Sequence, residues 1–487
     1  MMMIQAENLD NFLSDSLSSL FGPTLLSALE TAADRLGREL RVVGGTVRDL
    51  LLGRVTSDFD FVTDGSGLAL AEELSGILGK GAHLTLFRNF GTAQIRYRGL
   101  ELEFVGARKE SYHASSRKPI VEDGTFADDE RRRDFTINAL SVTLSGPLKG
   151  RLHDPFDGLT DLREGVIRTP LDPDVTFSDD PLRMMRAVRF ASQLSFVLHP
   201  SVADSIRRNA ARLKIVSMER VTAEFMKIIN SPKPSVGLAL MEECGLMPLY
   251  LPEISALKEA ETREGIGHKN NFYHTLMVVD KLAERSTNEN LRLAALFHDV
   301  GKPVTKRFTP GEGWSFYHHD HAGQKMLPRI FRRVKLPLDE RLGYIQNLVR
   351  LHMRPAQLAD EGVTDSAIRR ILFEAGDDVD DLMTLCESDL TSKNPEKVRR
   401  YLDNFALVRE KLKEIEEKDR IRNFQPPVKG EEIMRVYGLE PCREVGLIKE
   451  AIKDAILDGL IPNDHDAAYG YMVTVARERF GLEPRPL

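Results

Sequence analysis

The chain has 487 residues, 42% apolar and 29% charged, and a formal net charge of -7. That length exceeds one hydrophobic core and calls for three or four units. The composition is that of a globular protein, and the acidic balance excludes a general basic coat for nucleic acid, leaving such contact to local patches. The three cysteines, Cys244, Cys386 and Cys442, are widely spaced with no C-x-x-C pair, which fits a reducing, cytoplasmic compartment and excludes a cysteine-built zinc site. The N-terminus lacks a basic segment followed by a long apolar one, and no apolar run reaches the ~18 residues of a membrane span. Neither a signal peptide nor membrane residence is expected.

In chain order, "GPTLLSALETAADRLG" over residues 22–37 has helical apolar spacing and "ELRVVGG" reads as a short buried strand. "DFDFV", "HLTLFR", "TAQIRYR" and "LELEFVGA" follow as strands, with "GLALAEELSGILGK" as a helix among them. From about Asp172 onward the strand signal disappears, and "DDPLRMMRAVRFASQL", "SVADSIRRNAARLKIV" and "MERVTAEFMKIIN" read as helices. The expected fold is an α/β head with a mixed sheet, followed by helical domains. Breaks fall at "NSPKPS", near "KEAETREGIGHKNN" and at "NFQPPVKGEE".

Inside "RVVGGTVRDLLLGRVTSDFDFV", Asp58 and Asp60 stand two apart in an apolar strand, so they share one face while Phe59 and Phe61 point to the core. Two like charges so close call for a cation, and Mg²⁺ suits oxygen donors beside substrate phosphates. Gly44 and Gly45 end a strand and open a helix whose free N–H groups can meet a phosphate, with Arg48 one turn in. A two-metal site asks for a third carboxylate, for which Glu103 is the candidate and Glu101, on the same face, the alternative. In "FSDDPLRMMRAVRF", Arg183, Arg186 and Arg189 form one slanting ridge behind Asp180. A carboxylate that accepts from an exocyclic amine, beside a guanidinium fork, can read a base edge. Arg132, Arg133 and Asp134 precede an apolar run in "DDERRRDFTINAL".

These clusters, in this order, resemble the class II nucleotidyltransferases that extend RNA 3′ ends, the CCA-adding tRNA nucleotidyltransferases and bacterial poly(A) polymerases. "HDPFDGLTDL" and "MERVTAEF" resemble that family's connecting segment and neck helix, so the likeness spans roughly residues 40–230. The resemblance implies that Asp58 and Asp60 ligate Mg²⁺ and that Gly45 and Arg48 contact nucleotide phosphate. Arg133 and Asp134 would lie against triphosphate and ribose, Asp180 and Arg183 would template the base, and Arg186 and Arg189 would flank the phosphates. Asp179 stands where the family usually has Glu. The stretch "RKESYHASSRKPIVEDGTFAD" resembles the family's loop for switching from C to A addition. Substrates would be tRNA, CTP and ATP.

"LAALFHDVGKP", with "FYHHDHAGQKM", "RLHMRP" and "LCESDL", resembles HD-domain metal-dependent phosphohydrolases. The implied ligands are His274, His298, Asp299 and Asp389, with His319 and His352 available for a second metal, which would be a transition metal or Mg²⁺. Sequence physics does not separate His319 from His318 or His321; the family's spacing selects it. The expected organisation is a head over residues 20–163, a neck over 164–255, an HD domain over 262–400 and an RNA-contacting tail over 401–487. The expected activity is CCA addition. The rivals are a poly(A) polymerase or an enzyme adding only CC or only A, an HD phosphodiesterase or phosphatase with an RNA-binding head, and an RNA-binding scaffold.

Overall fold

The computed structural model describes residues 9–56, 58–111, 120–267, 270–361, 364–391, 394–419 and 425–485. They gather into two compact units, Met1–Tyr250 and Leu251–Leu487. The expected head and the expected neck up to residue 250 fall in the first, and residues 251–255 of the neck fall in the second with the HD and tail segments.

The first unit opens with α1 (Leu9–Leu36), which bends at Gly22, where φ is 69°, ahead of Pro23. The helix therefore begins well before the expected residue 22. Leu13, Leu17, Phe21 and Leu25 recur every four residues and are all buried, so the apolar stripe runs across the bend. Next come β1 (Leu40–Val43), α2 (Gly45–Leu51), β2 (Asp58–Thr63), α3 (Gly67–Leu78), β3 (Ala82–Phe87), β4 (Thr92–Tyr97) and β5 (Leu100–Gly106). A hairpin of β6 (Arg108–Ser111) and β7 (Ile120–Asp123) follows, then α4 (Phe126–Arg131), β8 (Ser141–Thr143) and β9 (Leu152–His153). Of the loop likened to a C-to-A switch, residues 112–119 lie outside the described residues.

Seven strands form one mixed sheet in the order β3-β4-β5-β2-β1-β8-β9, in which β2 and β5 are parallel and the other neighbours antiparallel. Alternation sends Phe59, Phe61 and Phe104 to the core, where Phe61 stacks on Phe104 with ring centres 4.9 Å apart and Phe21 meets Phe59 edge-on at 5.0 Å. The opposite face of β2 and β5 carries carboxylates. Helices follow: α5 (Gly158–Glu164), α6 (Pro173–Asp179), α7 (Leu182–Leu194), α8 (Pro200–Asn209), α9 (Met218–Ile229), α10 (Pro234–Glu243) and the single turn Met247–Tyr250. α7 packs against both α9 and α10. Beyond the sheet, Val166–Ile167 pairs with Val197–Leu198, a strand pair too short for period-two reasoning to detect.

The second unit is mainly helical, with short hairpins that the sequence reading passed over, Thr262–Arg263 with Ile266–Gly267 and Arg307–Thr309 with Gly313–Ser315. Asn271–Ala283 packs on Glu289–Phe297 and Val379–Asp389, and Glu340–Leu351 packs on Glu289–Phe297 and His319–Val334. The long helix Pro395–Asp419 crosses the expected boundary at residue 400 and packs on Asp365–Ala375, which ties the tail to this core. Among the described residues, no helix is long and apolar enough to cross a membrane.

Because Leu17 is buried in the core shared with Phe59 and Val142, Leu17→Ala should cost about 2–5 kcal/mol in urea unfolding. A negligible change would mean that the segment before Gly22 is not part of the core.

Candidate active site and metal centre

Parallel pairing of β2 with β5 sets Asp58 opposite Glu101 and Asp60 opposite Glu103, all on the face away from the core. Asp60 and Glu103 line a cleft of about 500 Å³. Desolvation raises the pKa of Asp60, Asp58 adds to the rise and Arg133 opposes it. Glu103 is also raised, by desolvation first and then by Asp60 and Asp58. Oxygen donors crowded enough to resist one another's ionisation fit a hard divalent cation. Glu101 is tied to Arg96 at 2.9 Å, whereas Glu103 lines the cleft beside Asp60; Asp58, on the same face, does not line it.

The facing wall is built from arginines, each steadied by a carboxylate or carbonyl. Arg133 donates to Asp129 Oδ2 through Nη2 at 2.9 Å, and Arg132 binds the other oxygen of the same carboxylate. Arg183 donates to the Arg132 carbonyl at 2.5 Å. Arg186 donates through Nε to Asp134 Oδ2 at 2.7 Å. Asp180, between α6 and α7, accepts from the Leu182 amide at 3.1 Å and meets Arg220 of α9 at 3.5 Å. Asp180, Arg183, Arg186, Arg132, Arg133 and Arg220 all line the cleft. Arg108 and Arg220 also line it, though the sequence reading gave them no role. Arg220 lies in the quoted "MERVTAEF", but nothing in helical periodicity says which neighbouring element its long side chain reaches.

Two arginines expected at the phosphates do not line this cleft. Arg48 is buried, donating to Asn138 Oδ1 at 2.6 Å and to Asp49 at 2.9 Å. Arg189 is buried with its Nε 2.5 Å from Glu224, its guanidinium 3.9 Å from the centre of the Phe190 ring. The ridge of three thus splits: the helix turns Arg189 inward against α9, where Glu224 compensates its charge. Gly44 takes φ 68°, its N–H is spent on the Leu140 carbonyl at 3.0 Å, and a Cβ there would sit 2.9 Å from the Arg133 guanidinium. Its missing side chain makes room for Arg133. Gly45 begins a helix of only seven residues.

A buried relay joins these motifs. Asn138 accepts from Arg48 and donates through Nδ2 to Asp134 Oδ1 at 3.0 Å, and Asp134 in turn holds Arg186. Burial alone would raise the Asp134 pKa, but Arg186, the Asn138 amide and Arg183 bring it down to about 2. Both of its oxygens are engaged within the protein, so in this structure Asp134 anchors Arg186.

In the second unit, five elements bring six ligating groups together. His274 comes from Asn271–Ala283, His298 and Asp299 follow Glu289–Phe297, His319 opens His319–Val334, His352 caps Glu340–Leu351 and Asp389 ends Val379–Asp389. Two triads arise, His274 with His298 and Asp389, and Asp299 with His319 and His352. Asp299 spans them: Oδ2 lies 3.3 Å from His298 Nε2, and Oδ1 lies 3.3 Å from His319 Nε2. Oδ2 also lies 3.6 Å from His274 Nε2, so Asp299 stands beside the first triad through one oxygen and reaches the second through the other. His318 and His321 are exposed, and His321 pairs with Asp320.

His298, His319 and His352 donate Nδ1–H to the carbonyls of Ala295, Phe316 and Val349, each three residues back, at 2.7, 2.9 and 2.7 Å. Each Nε2 lone pair is thereby turned inward, and those of His319 and His352 face each other at 3.3 Å. A lone-pair pair at that distance needs a cation or proton between them, so the donor set fits divalent metal. Burial would lower the His298 pKa, yet Asp299 and Asp389 push it up to about 10. Burial, with His298 and His319 beside it, holds His352 down to about 4. Lys302 reaches Asp299 Oδ2 at 2.5 Å.

Gly301 lets these elements meet: a Cβ there would collide with the His319 carbonyl and lie 2.7 Å from the Gly323 amide. Gly301→Ala should therefore weaken metal affinity about tenfold or more in a chelator competition, with nucleotide chemistry in the first unit unchanged. The Asp134 pKa sits below the ordinary value of 3.8, so its stabilisation is complete above about pH 4 and lost as pH falls towards 2. Asp134→Asn should cost roughly 2 kcal/mol or more in urea at pH 7, with the gap narrowing by pH 3. A gap independent of pH would refute the anchoring role.

Residues 40–168 match the poly A polymerase head domain family, residues 195–258 the probable RNA and SrmB-binding site of polymerase A, and residues 271–382 the HD domain. The chain is 31% identical over 438 residues to an A-adding tRNA nucleotidyltransferase of Deinococcus radiodurans, covering 88% of this chain and 93% of the relative. It is 32% identical over 436 residues to a CC-adding tRNA nucleotidyltransferase of Thermus thermophilus, covering 87% and 91%. Among solved structures, the CCA-adding enzyme of Bacillus stearothermophilus in complex with CTP aligns with a TM-score of 0.62 and 25% identity over 94% of this chain and 98% of that one. The Thermotoga maritima CCA-adding enzyme complexed with tRNA shares the fold, with a TM-score of 0.59 and 20% identity over 95% and 98%. By its identity to the D. radiodurans and T. thermophilus relatives over nearly nine-tenths of its length, and by its poly A polymerase head domain, the chain belongs to the tRNA nucleotidyltransferase family.

Proposed function

We propose that the protein adds C, C and A to the 3′ end of tRNA from CTP and ATP, in the cytoplasm. The observation that carries this is the cleft itself, with Asp60 and Glu103 on one wall and Asp180, Arg183 and Arg186 on the other. Mg²⁺ held by Asp58 and Asp60, with Glu103 beside them, would supply charge neutralisation and a more acidic 3′-hydroxyl. Arg133 and Arg186, fixed by Asp129 and Asp134, present guanidinium groups to the triphosphate before it arrives, so little reorganisation accompanies charge transfer to pyrophosphate. Asp180 accepts from an exocyclic amine while Arg183 donates to the neighbouring ring acceptor. Cytosine and adenine both offer that pair, whereas uracil presents a carbonyl to the carboxylate and is repelled.

A second reading has its own support, because the D. radiodurans and T. thermophilus relatives, matched over most of both chains, are named for A addition and CC addition. The purified protein with tRNA lacking its tail should extend by two nucleotides with CTP alone and by three with CTP and ATP. Extension stopping at CC with both nucleotides, or occurring only with ATP on a CC-ended tRNA, would assign the split function. Long A ladders would indicate a poly(A) polymerase.

The second unit supports a separate phosphohydrolase activity on nucleotide or 2′,3′-cyclic phosphates, with a transition metal favoured by its imidazole-rich ligands. Asp60→Ala should abolish incorporation and leave phosphoesterase activity intact, and Asp299→Ala should do the reverse. Asp180→Asn, which can donate towards a carbonyl, should narrow the preference for CTP over UTP about tenfold or more.

A further inference from the structure

The face that carries Asp58 and Asp60 continues beyond the cleft. Strand register aligns Glu103, Gln94 and Thr85 in a row running outward from Asp60, and Val105, Thr92 and Phe87 in a row from Val62. Val62 and Val105 line the cleft and belong to a small apolar cluster closed by Phe126. The second row then leaves that cover. Phe87 is 43% exposed, and Phe90, in the tight turn that follows β3, is 74% exposed. Leu84 and Leu86 of the same strand pack on the core, so strand parity turns Phe87 outward. Two strand spacings, about 10 Å, separate Phe87 from Val105, a distance that a short extended nucleotide strand covers.

We propose that Phe87 and Phe90 form the stacking platform for the single-stranded 3′ end of the RNA primer, with its terminal nucleotide at the carboxylates. This rests on the nucleotidyl-transfer reading above. Asp180, Arg183 and Arg186 occupy the wall that would receive the incoming nucleotide, so the primer's hydroxyl reaches Asp60 from the side of β5, β4 and β3. The bases at a growing 3′ end change with each addition. Aromatic rings that meet base faces accept every one of them, whereas hydrogen bonds to base edges would not. Arg88, between the two phenylalanines in sequence, has a side chain 71% exposed and held 3.4 Å from Glu72 at the surface, a screened pair that a phosphate can compete for.

The test uses the full chain and a tRNA ending in CC whose 3′-terminal C is replaced by 2-aminopurine. Binding to the wild type should quench the fluorophore by stacking. Phe87→Ala/Phe90→Ala should lose that quench and raise the KM for tRNA about tenfold or more, with the KM for ATP and the Tm unchanged. Phe90→Trp should retain the quench, and Phe90→Leu, apolar without a ring, should not. A double variant with wild-type quench and tRNA KM would overturn the platform alone. A wild type that incorporates neither nucleotide would overturn the functional reading and the platform with it. If the double variant altered only the sedimentation of the free protein, the surface would belong to a second copy, and the RNA proposal would fall.

Discussion

Like charges held in register on two parallel strands are the constraint around which the first unit is arranged. β2 and β5 cannot move apart without breaking the central ladder of the sheet, so Asp60 and Glu103 stay adjacent whatever their ionisation. Arg133 and Arg186 offset part of their mutual destabilisation, yet both carboxyls stay raised, so further positive charge is favoured between them. The arginine wall opposite does not collapse onto them, because its guanidinium groups are already committed: Arg132 and Arg133 to Asp129, Arg186 to Asp134. The cleft therefore keeps opposite charges apart across an open space, an arrangement that polarises whatever polyanion and cation enter together.

The second unit gathers four imidazoles around two carboxylates. Helix ends, not helix middles, bring its imidazoles together, and a carbonyl three residues upstream orients each of three rings. That short-range contact fixes the tautomer without recruiting another element. Convergence of the ends depends on close backbone approach, which Gly301 permits at the crossing with the helix that begins at His319.

Much of this was legible in sequence because it is periodic or local. The i, i+2 placement of Asp58 and Asp60 needs only strand alternation, and five of the sheet strands and the helix among them fell where apolar patterning put them. What escaped depends on where long side chains go once elements pack. Arg183, Arg186 and Arg189 are equivalent on a helical ridge, yet Glu224 from a distant helix draws Arg189 away from the cleft. Arg48 looked like a phosphate contact because of the glycines before it, and only the fold shows that Asn138, 90 residues later in the chain, accepts a hydrogen bond from its guanidinium. Glu103 is the candidate read from sequence with Glu101 as the alternative, and the difference between them depends on Arg96, the cross-strand neighbour that pairs with Glu101. The bend in α1 hid a helix that begins at Leu9, since a glycine and proline in sequence read as its start.

Asn138 stands between a group that can only donate, Arg48, and one that can only accept, the Asp134 carboxylate. A primary amide is well suited to face both, since it carries opposite hydrogen-bonding polarity on its two arms. Aspartate would set two anions side by side, and leucine would strand both neighbours in a dry interior. The position works as a polarity converter, and evolutionary drift at this site should be far more restricted than its distance from the reacting atoms suggests.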